Sequence, residues 1–349
     1  MSIKGRGTIT NPPNRFEEVH REPIEVEWSE EDEPHSPKTI FYPDNSKSIL
    51  AKNDSPDIPF DYSLNPYRGC EHGCAYCYAR PSHEYLGFSA GLDFETKIMV
   101  KLDAPTLLEE TFSRAKWKPQ IVSLSGNTDC YQPVERKLMI TRRCLEVFLK
   151  HRNPVGIITK NFLITRDVDI LRELASFNAI TVMLSITSLD DDLIRAMEPR
   201  TSTPLRRLEA IGLLSDAGIP VGVNVAPVIP GLNEAEMPAI LKEAAAHGAK
   251  FASYIVVRLP GPVRPLFLDW IERTVPQRRG KILANLLDVR RGKLSESAFG
   301  KRMRAEGPFA ESLRQLFHMH CRKLGLGDRN ITLSTEHFRR DPGGQFEFA

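Results

Sequence analysis

Between residues 60 and 260, short apolar β-branched runs alternate with stretches whose apolar positions recur at helical spacing. Ile121–Ser125, Val155–Thr159, Ile180–Ile186, Val221–Val225 and Tyr254–Val257 are strand candidates, and Phe60–Leu64 supplies a first strand. Amphipathic helices are expected over Lys137–Lys150, Asp167–Ser176, Pro204–Ala217 and Glu234–His247. Near-continuous hydrophobic strands, each followed by a helix, point to a parallel α/β sheet buried on both faces. Gly218 and Gly248 fall where helix-to-strand loops favour a C-cap residue. Roughly six such units fit an α/β fold of the partial (β/α)6 TIM type better than a closed eight-unit barrel.

The flanks read differently. Residues 1–58 are rich in Pro, Glu and Ser and lack periodicity, which predicts an extended, partly disordered N-terminal arm. Trp28 and the Ile40-Phe41-Tyr42 patch are its candidate docking points. Residues 59–262 form the expected core, and 263–349 an appended basic helical segment. Helices are expected there over Phe267–Arg273, Arg279–Arg290 and Phe309–Leu324.

Composition changes this picture little: 41% hydrophobic and 26% charged is ordinary for a soluble globular chain. No apolar run approaches the roughly 20 residues needed to span a bilayer. The first residues carry no hydrophobic core of a secretory signal, so a cytoplasmic location away from membranes is expected. Charge is more informative. Residues 1–59 carry 7 Lys/Arg against 12 Asp/Glu, whereas residues 262–349 carry 17 against 10. A basic tail, including the run Arg290-Arg291-Gly292-Lys293, suits a nucleic acid or a phosphorylated molecule. Solvated helix faces account for the same charges.

The candidate chemistry lies in Asn65-Pro66-Tyr67-Arg68-Gly69-Cys70-Glu71-His72-Gly73-Cys74-Ala75-Tyr76-Cys77-Tyr78-Ala79-Arg80. Three of the six cysteines sit there at C-x3-C-x2-C spacing, and a tight cluster in a reducing compartment argues for a metal or redox site. Three thiolates on one short loop can reach three corners of a cubane cluster, with Gly69 and Gly73 letting the backbone wrap it. Most clusters of this kind take four cysteines; three leave one iron open for chemistry. Arg68 and Arg80 add positive charge beside it. The competing reading is structural zinc, with His72 or His83 as fourth ligand of a Cys3His site. Zinc modules usually bring a second ligand pair, which is missing here.

The sequence resembles the radical S-adenosylmethionine superfamily, whose signature is C-x3-C-x-aromatic-C, with Tyr76 as the aromatic. The resemblance covers about residues 60–260. It implies that Cys70, Cys74 and Cys77 ligate a [4Fe-4S] cluster and that S-adenosylmethionine chelates the remaining iron. It further implies one-electron cleavage to a 5′-deoxyadenosyl radical, fed by a flavodoxin- or ferredoxin-type donor. Tyr76 then contacts adenine, and Ser125-Gly126-Asn127-Thr128-Asp129 faces the methionine amino group. Thr159, Lys160 and Ser185, at later strand ends, are candidates for ribose or carboxylate, and Arg200 for a carboxylate. The Val228–Glu234 stretch, with Ile229 and Gly231, resembles the adenine-packing segment. Asn65–Arg80, Gly126–Gln132 and Glu198-Pro199-Arg200 most resemble the spore photoproduct lyase-like branch. The two flanks depart from the lyase, so its thymine-dimer repair is not carried over.

Other residues have two readings each. A thiol S–H is easily broken, which makes Cys130 a candidate catalytic hydrogen donor; a lone cysteine at a strand end is also a common core residue. Asp129 and Glu135 are candidate acid/base groups, and Asp190-Asp191-Asp192 reads as a helix cap. His318 and His320 lie two apart on a helix and do not form a metal pair. Two functions follow: a radical enzyme acting on an unidentified substrate, or a zinc- or cluster-stabilised nucleic-acid-binding module without catalysis.

Overall fold

The β-branched runs and the glycine and proline punctuation between them build the strands. In a computed structural model describing residues 5–14, 37–296, 298–328 and 331–340, the first are β1 (Ile40–Pro43), β2 (Leu50–Lys52), β3 (Tyr62–Leu64), β4 (Tyr67–Arg68) and β5 (Lys97–Val100). There follow β6 (Val122–Leu124), β7 (Val155–Thr159), β8 (Ile180–Ser185), β9 (Val221–Val228), β10 (Phe251–Val256) and β11 (Gly327–Asp328). The acidic stretch with Trp28 and the last nine residues lie outside the described residues.

The main sheet has the order β11-β10-β9-β8-β7-β6-β3-β2. All neighbours are parallel except β2, which runs antiparallel to β3 at one edge. Helices Ala104–Ser113, Ile140–His151, Val168–Ser176, Pro204–Asp216 and Met237–Ala246 separate the six inner strands. This is the partial (β/α)6 arrangement expected from the pattern, open between its edges rather than closed into a barrel. Helix ends follow local chemistry. The Asp190 side chain accepts from the N–H groups of Asp192 and Leu193, as expected for a cap, and Thr203 caps the helix that starts at Pro204.

Alternate strand residues serve different faces. Val122, Leu124, Val155, Ile157, Val182, Leu184, Val221, Val223 and Val225 join the helices in one apolar core. The residues between them form lateral rows: Ser63–Ser123–Gly156, and Ser185–Asn224–Ser253. These polar rows share the inner face with the row Ile158–Met183–Gly222–Phe251, and the strands are largely buried on both faces, as expected. Ser253 Oγ donates to Asn224 Oδ1 at 2.8 Å on this face.

A second sheet, β1-β5-β4, lies outside the main one and has no counterpart in the sequence reading. Its role is positional, because β4 runs directly into Gly69 and Cys70. Phe41 is buried to 2% exposure where β1 pairs with β5. Residues 6–8 are buried as well: Glu95 accepts from the N–H groups of Gly7 and Thr8 at 3.0 and 3.1 Å. The C-terminal helices form at Val263–Thr274, Arg279–Asp288 and Pro308–Leu324.

Candidate active site around the cysteine loop

Cys70, Cys74 and Cys77 are free thiols on one loop at the C-terminal end of β3, the end of a parallel β/α sheet where ligands bind. The loop is pinned at several points. Cys70 N–H donates to Phe94 O at 2.9 Å and Ala75 N–H to Met197 O at 3.0 Å. Gly69 and Gly73 have φ of 83° and 67°, the left-handed region in which a side chain is strained. A Cβ on Gly69 would also lie 2.9 Å from Ile98 Cδ1. Arg80, fully buried, donates to Cys74 O at 2.8 Å and pairs with Glu95 at 2.5 Å.

Other strand ends converge on this loop. Asp129, after β6, accepts from Thr159 Oγ1 at 2.8 Å and from Lys160 N–H at 2.9 Å, and lies 3.4 Å from His72 Nδ1. Asn161 Nδ2 donates to His72 Nε2 at 3.1 Å. Burial works against the Asp129 charge, but His72 and the backbone N–H groups of Lys160 and Tyr131 hold its carboxyl below the ordinary range. Glu198 forms the second hub. Its carboxylate meets Arg207 at 2.5 Å, Lys160 Nζ at 3.2 Å, Thr187 Oγ1 at 2.5 Å and the hydroxyl of Tyr76. Burial raises the Glu198 pKa, yet Arg207 and Lys160 outweigh it and keep the carboxyl well below its usual value.

The remaining candidates fall as follows. Ser125 has φ 73° and accepts from Cys130 N–H; Gly126 O accepts from Tyr78 OH at 2.9 Å. Asn127 and Thr128 take Asn65 Oδ1 on their N–H groups at 2.8 and 3.2 Å. Ser185 O accepts from Arg207, and Arg200 N–H donates to His72 O. Ile229 packs with Cys74, Ala75 and Tyr76. Gly231 is farther out, against the backbone of Ile282. Cys130 is fully buried in the apolar core, the surroundings of a packing thiol. Glu135 is likewise buried, accepting from the Tyr67 hydroxyl at 2.5 Å and paired with Arg166.

Sequence reasoning gave no role to Thr187, two residues past the marked strand end at Ser185, or to Glu198, which it quoted only with Pro199 and Arg200 and which caps the helix Asp191–Met197. It also overestimated free charge at the loop: Arg68 is paired with Asp44 at 2.7 Å and Arg80 with Glu95. The basic run is corrected in the same way. Arg290 is 6% exposed, whereas Arg291 and Lys293 stay exposed and pair with Glu306 and Glu296, so the run divides between one buried and two surface cations.

The donor set fits a cluster better than a single ion. Among the described residues, no three His, Cys, Asp or Glu side chains group closely enough to hold one metal ion. Thiolates on a cubane sit on different irons and lie farther apart than the ligands of one ion. His72 is committed to Asp129 and Asn161 and does not complete a Cys3His site, while His83 packs between Phe88 and Phe94. Burial pushes all three thiols up, so a cluster displaces protons as it binds.

With the fold and loop in view, the comparisons are direct. Residues 64–244 match the Radical SAM superfamily, and the chain belongs to that family. It is an enzyme family that uses a [4Fe-4S] cluster and S-adenosylmethionine. An uncharacterized protein of Mycobacterium tuberculosis is 36% identical over 234 residues, 66% of this chain and 69% of that one. One from Methanocaldococcus jannaschii is 29% identical over 175 residues, 50% and 63% of the two chains. Spore photoproduct lyase complexed with dinucleoside spore photoproduct shares the fold at a TM-score of 0.58. That match has 19% identity and covers 82% of this chain and 80% of the lyase. Among the described residues no helix is long and apolar enough to cross a membrane.

Proposed function

We propose that Cys70, Cys74 and Cys77 hold a [4Fe-4S] cluster with which this chain abstracts hydrogen from a substrate at the inner face of the sheet, beside the cysteine loop. One observation carries the reading: three free thiols, at C-x3-C-x2-C spacing, on one strand-end loop. When bound, the cluster supplies the electron that cleaves the sulfonium of S-adenosylmethionine and furnishes the 5′-deoxyadenosyl radical. A flavodoxin- or ferredoxin-type protein serves as the electron source.

The chain's own residues bind and orient. Tyr76, fixed through its hydroxyl by Glu198, presents a rigid ring, and Ile229 beside it adds apolar surface; together they suit adenine. Gly126, Asn127 and Thr128 form a turn held by Asn65 and suit the methionine amino group, with Ser125 and Asp129 fixing its ends. Arg200 is 3.5 Å from Glu71, a loose pairing that leaves its guanidinium able to meet a carboxylate. Thr159 positions Asp129, and Lys160 and Ser185 offer polar atoms to the ribose.

The test is anaerobic reconstitution, reduction with dithionite, addition of S-adenosylmethionine and measurement of 5′-deoxyadenosine. Wild type is expected to bind about four irons per chain and to form product, and Cys74→Ala to form none. A colourless, zinc-loaded wild type without product overturns the reading.

A further inference from the structure

The open sheet is bridged from one side to the other by a strap in the C-terminal segment. Arg302 donates to Asp57 and Ser55, between β2 and β3, at 2.7 and 2.5 Å, and Gly300 N–H donates to Asp57 at 2.7 Å. The strap's other end is tied to β10 by Arg290. That guanidinium, 6% exposed, donates to the carbonyls of Val257, Arg302 and Arg304 at 3.1, 3.2 and 2.8 Å. Carbonyls satisfy its hydrogen bonds, and the charge nearest to offsetting it is that of Glu296.

Arg258 lies beside it, two residues past β10 and at the sheet end that carries the cysteine loop. It is half-buried, and among the described residues no carboxylate comes within ion-pair distance of it. Its neighbours are the thioether of Met303, a weak acceptor at 2.7 Å, and the ring of Tyr78, 5.8 Å from the guanidinium carbon. Its Nε is buried without a partner. Tyr78 directly follows Cys77. Asp57, the acid whose charge reaches Arg258, is already engaged by Arg302. Burial, and after it the repulsion of Arg302, lowers the pKa of Arg258; burial and Arg258 do the same to Arg290. A half-buried guanidinium without an ion-pair partner, with a second guanidinium beside it, is unfavourable in an isolated protein.

We infer that Arg258, backed by the charge of Arg290, anchors a phosphoryl group of the substrate beside the cysteine loop. The inference rests on the proposed radical reaction and adds its substrate class. A phosphate monoester carries about −1.5 to −2 charges near neutrality, which balances two guanidiniums. The Arg258 fork suits its oxygens. The group has two sources, a phosphorylated small molecule or the phosphodiester of a nucleic acid.

The experiment measures binding and melting on the full chain, independently of any radical product. Inorganic phosphate and an unphosphorylated single-stranded oligonucleotide are titrated into wild type, Arg258→Met and Arg291→Met at fixed ionic strength. Arg258→Met is expected to bind the recognised probe at least about ten-fold more weakly, with Arg291→Met unchanged. Phosphate binding assigns a monoester, and oligonucleotide binding alone assigns a diester. Without ligand, Arg258→Met is expected to melt no lower than wild type, since an uncompensated charge is removed. Equal binding by wild type and Arg258→Met, no binding of either probe by wild type, or a lower melting point for Arg258→Met overturns the inference. A failure here with 5′-deoxyadenosine still formed discards the substrate class alone; loss of that product discards the radical reading.

Discussion

Arg80 and Glu95 form an ion pair with no exposure on either side chain, and the same guanidinium holds the backbone carbonyl of Cys74. Placement of the second thiol thus depends on a charge fifteen residues farther along the chain. Glu95→Gln leaves the Arg80 charge buried and uncompensated, which costs about 3–5 kcal/mol. The expected outcome is a corresponding loss in denaturant unfolding together with a lower iron-to-protein ratio after reconstitution. Unchanged iron retention would separate the pair from the cysteine loop.

Glu198→Gln makes a similar demand at the other hub. It strips Arg207 of its counter-ion and weakens the hold on Tyr76 and Lys160. A loss of about 3–5 kcal/mol is expected, with weaker S-adenosylmethionine binding in equilibrium dialysis. The native carboxyl is held below its ordinary value, so its contribution is complete above the unfolded pKa of about 4.3 and declines as pH falls below that. The difference between wild type and Glu198→Gln should therefore be flat near neutrality and narrow only in acid.

His83 acts in a different pH window. Burial between Phe88 and Phe94 pushes its pKa down to about 4, so the folded protein keeps it neutral. Between about 6.5 and about 4 the unfolded chain binds more protons, and stability falls as pH falls through that interval. The loss from this group reaches on the order of 2 kcal/mol by pH 5. His83→Phe should flatten that part of the stability profile, measured by urea unfolding at pH 7 and pH 5.

Gly7 and Gly280 make a contrasting pair. A Cβ on Gly7 would sit 1.7 Å from the carbonyl oxygen of Gly73, between the first two cysteines, whereas one on Gly280 meets nothing within 4 Å. Gly7→Ala is expected to destabilise by about 1–3 kcal/mol and to speed proteolysis near the N-terminus. Gly280→Ala, in the helix Arg279–Asp288, should gain about 0.5–1 kcal/mol.

The parts of this fold that were legible in the sequence are those set by periodicity within one segment. Strands β6 to β10 and the helices between them follow from hydrophobic repeats, with small shifts that have local causes. The helix expected over Lys137–Lys150 breaks at Met139, which adopts φ 52°, and that expected from Glu234 begins as α-helix only at Met237, ahead of Pro238. The sheet β1-β5-β4 was illegible because its strands are two to four residues long and pair across more than thirty positions. The cysteine spacing announced the loop, but Glu95 sits in a segment with no motif, and Glu198-Pro199-Arg200 drew notice for its arginine, not its glutamate. Burial and partners give them their roles, and neither is encoded locally.

The hydrogen bonds from Gly7 and Thr8 to Glu95 span 88 and 87 positions. A synthetic peptide copying residues 65–80 would contain every cysteine of the motif and both glycines that bend it. It would lack the carboxylate that binds Arg80, the carbonyl that receives Cys70 and the segment that lies against Gly73. Such a peptide could recruit iron and sulfide, yet nothing in it would choose one arrangement of the three thiols over another. Here the motif supplies the ligands, and a hundred residues of surrounding chain supply their coordinates.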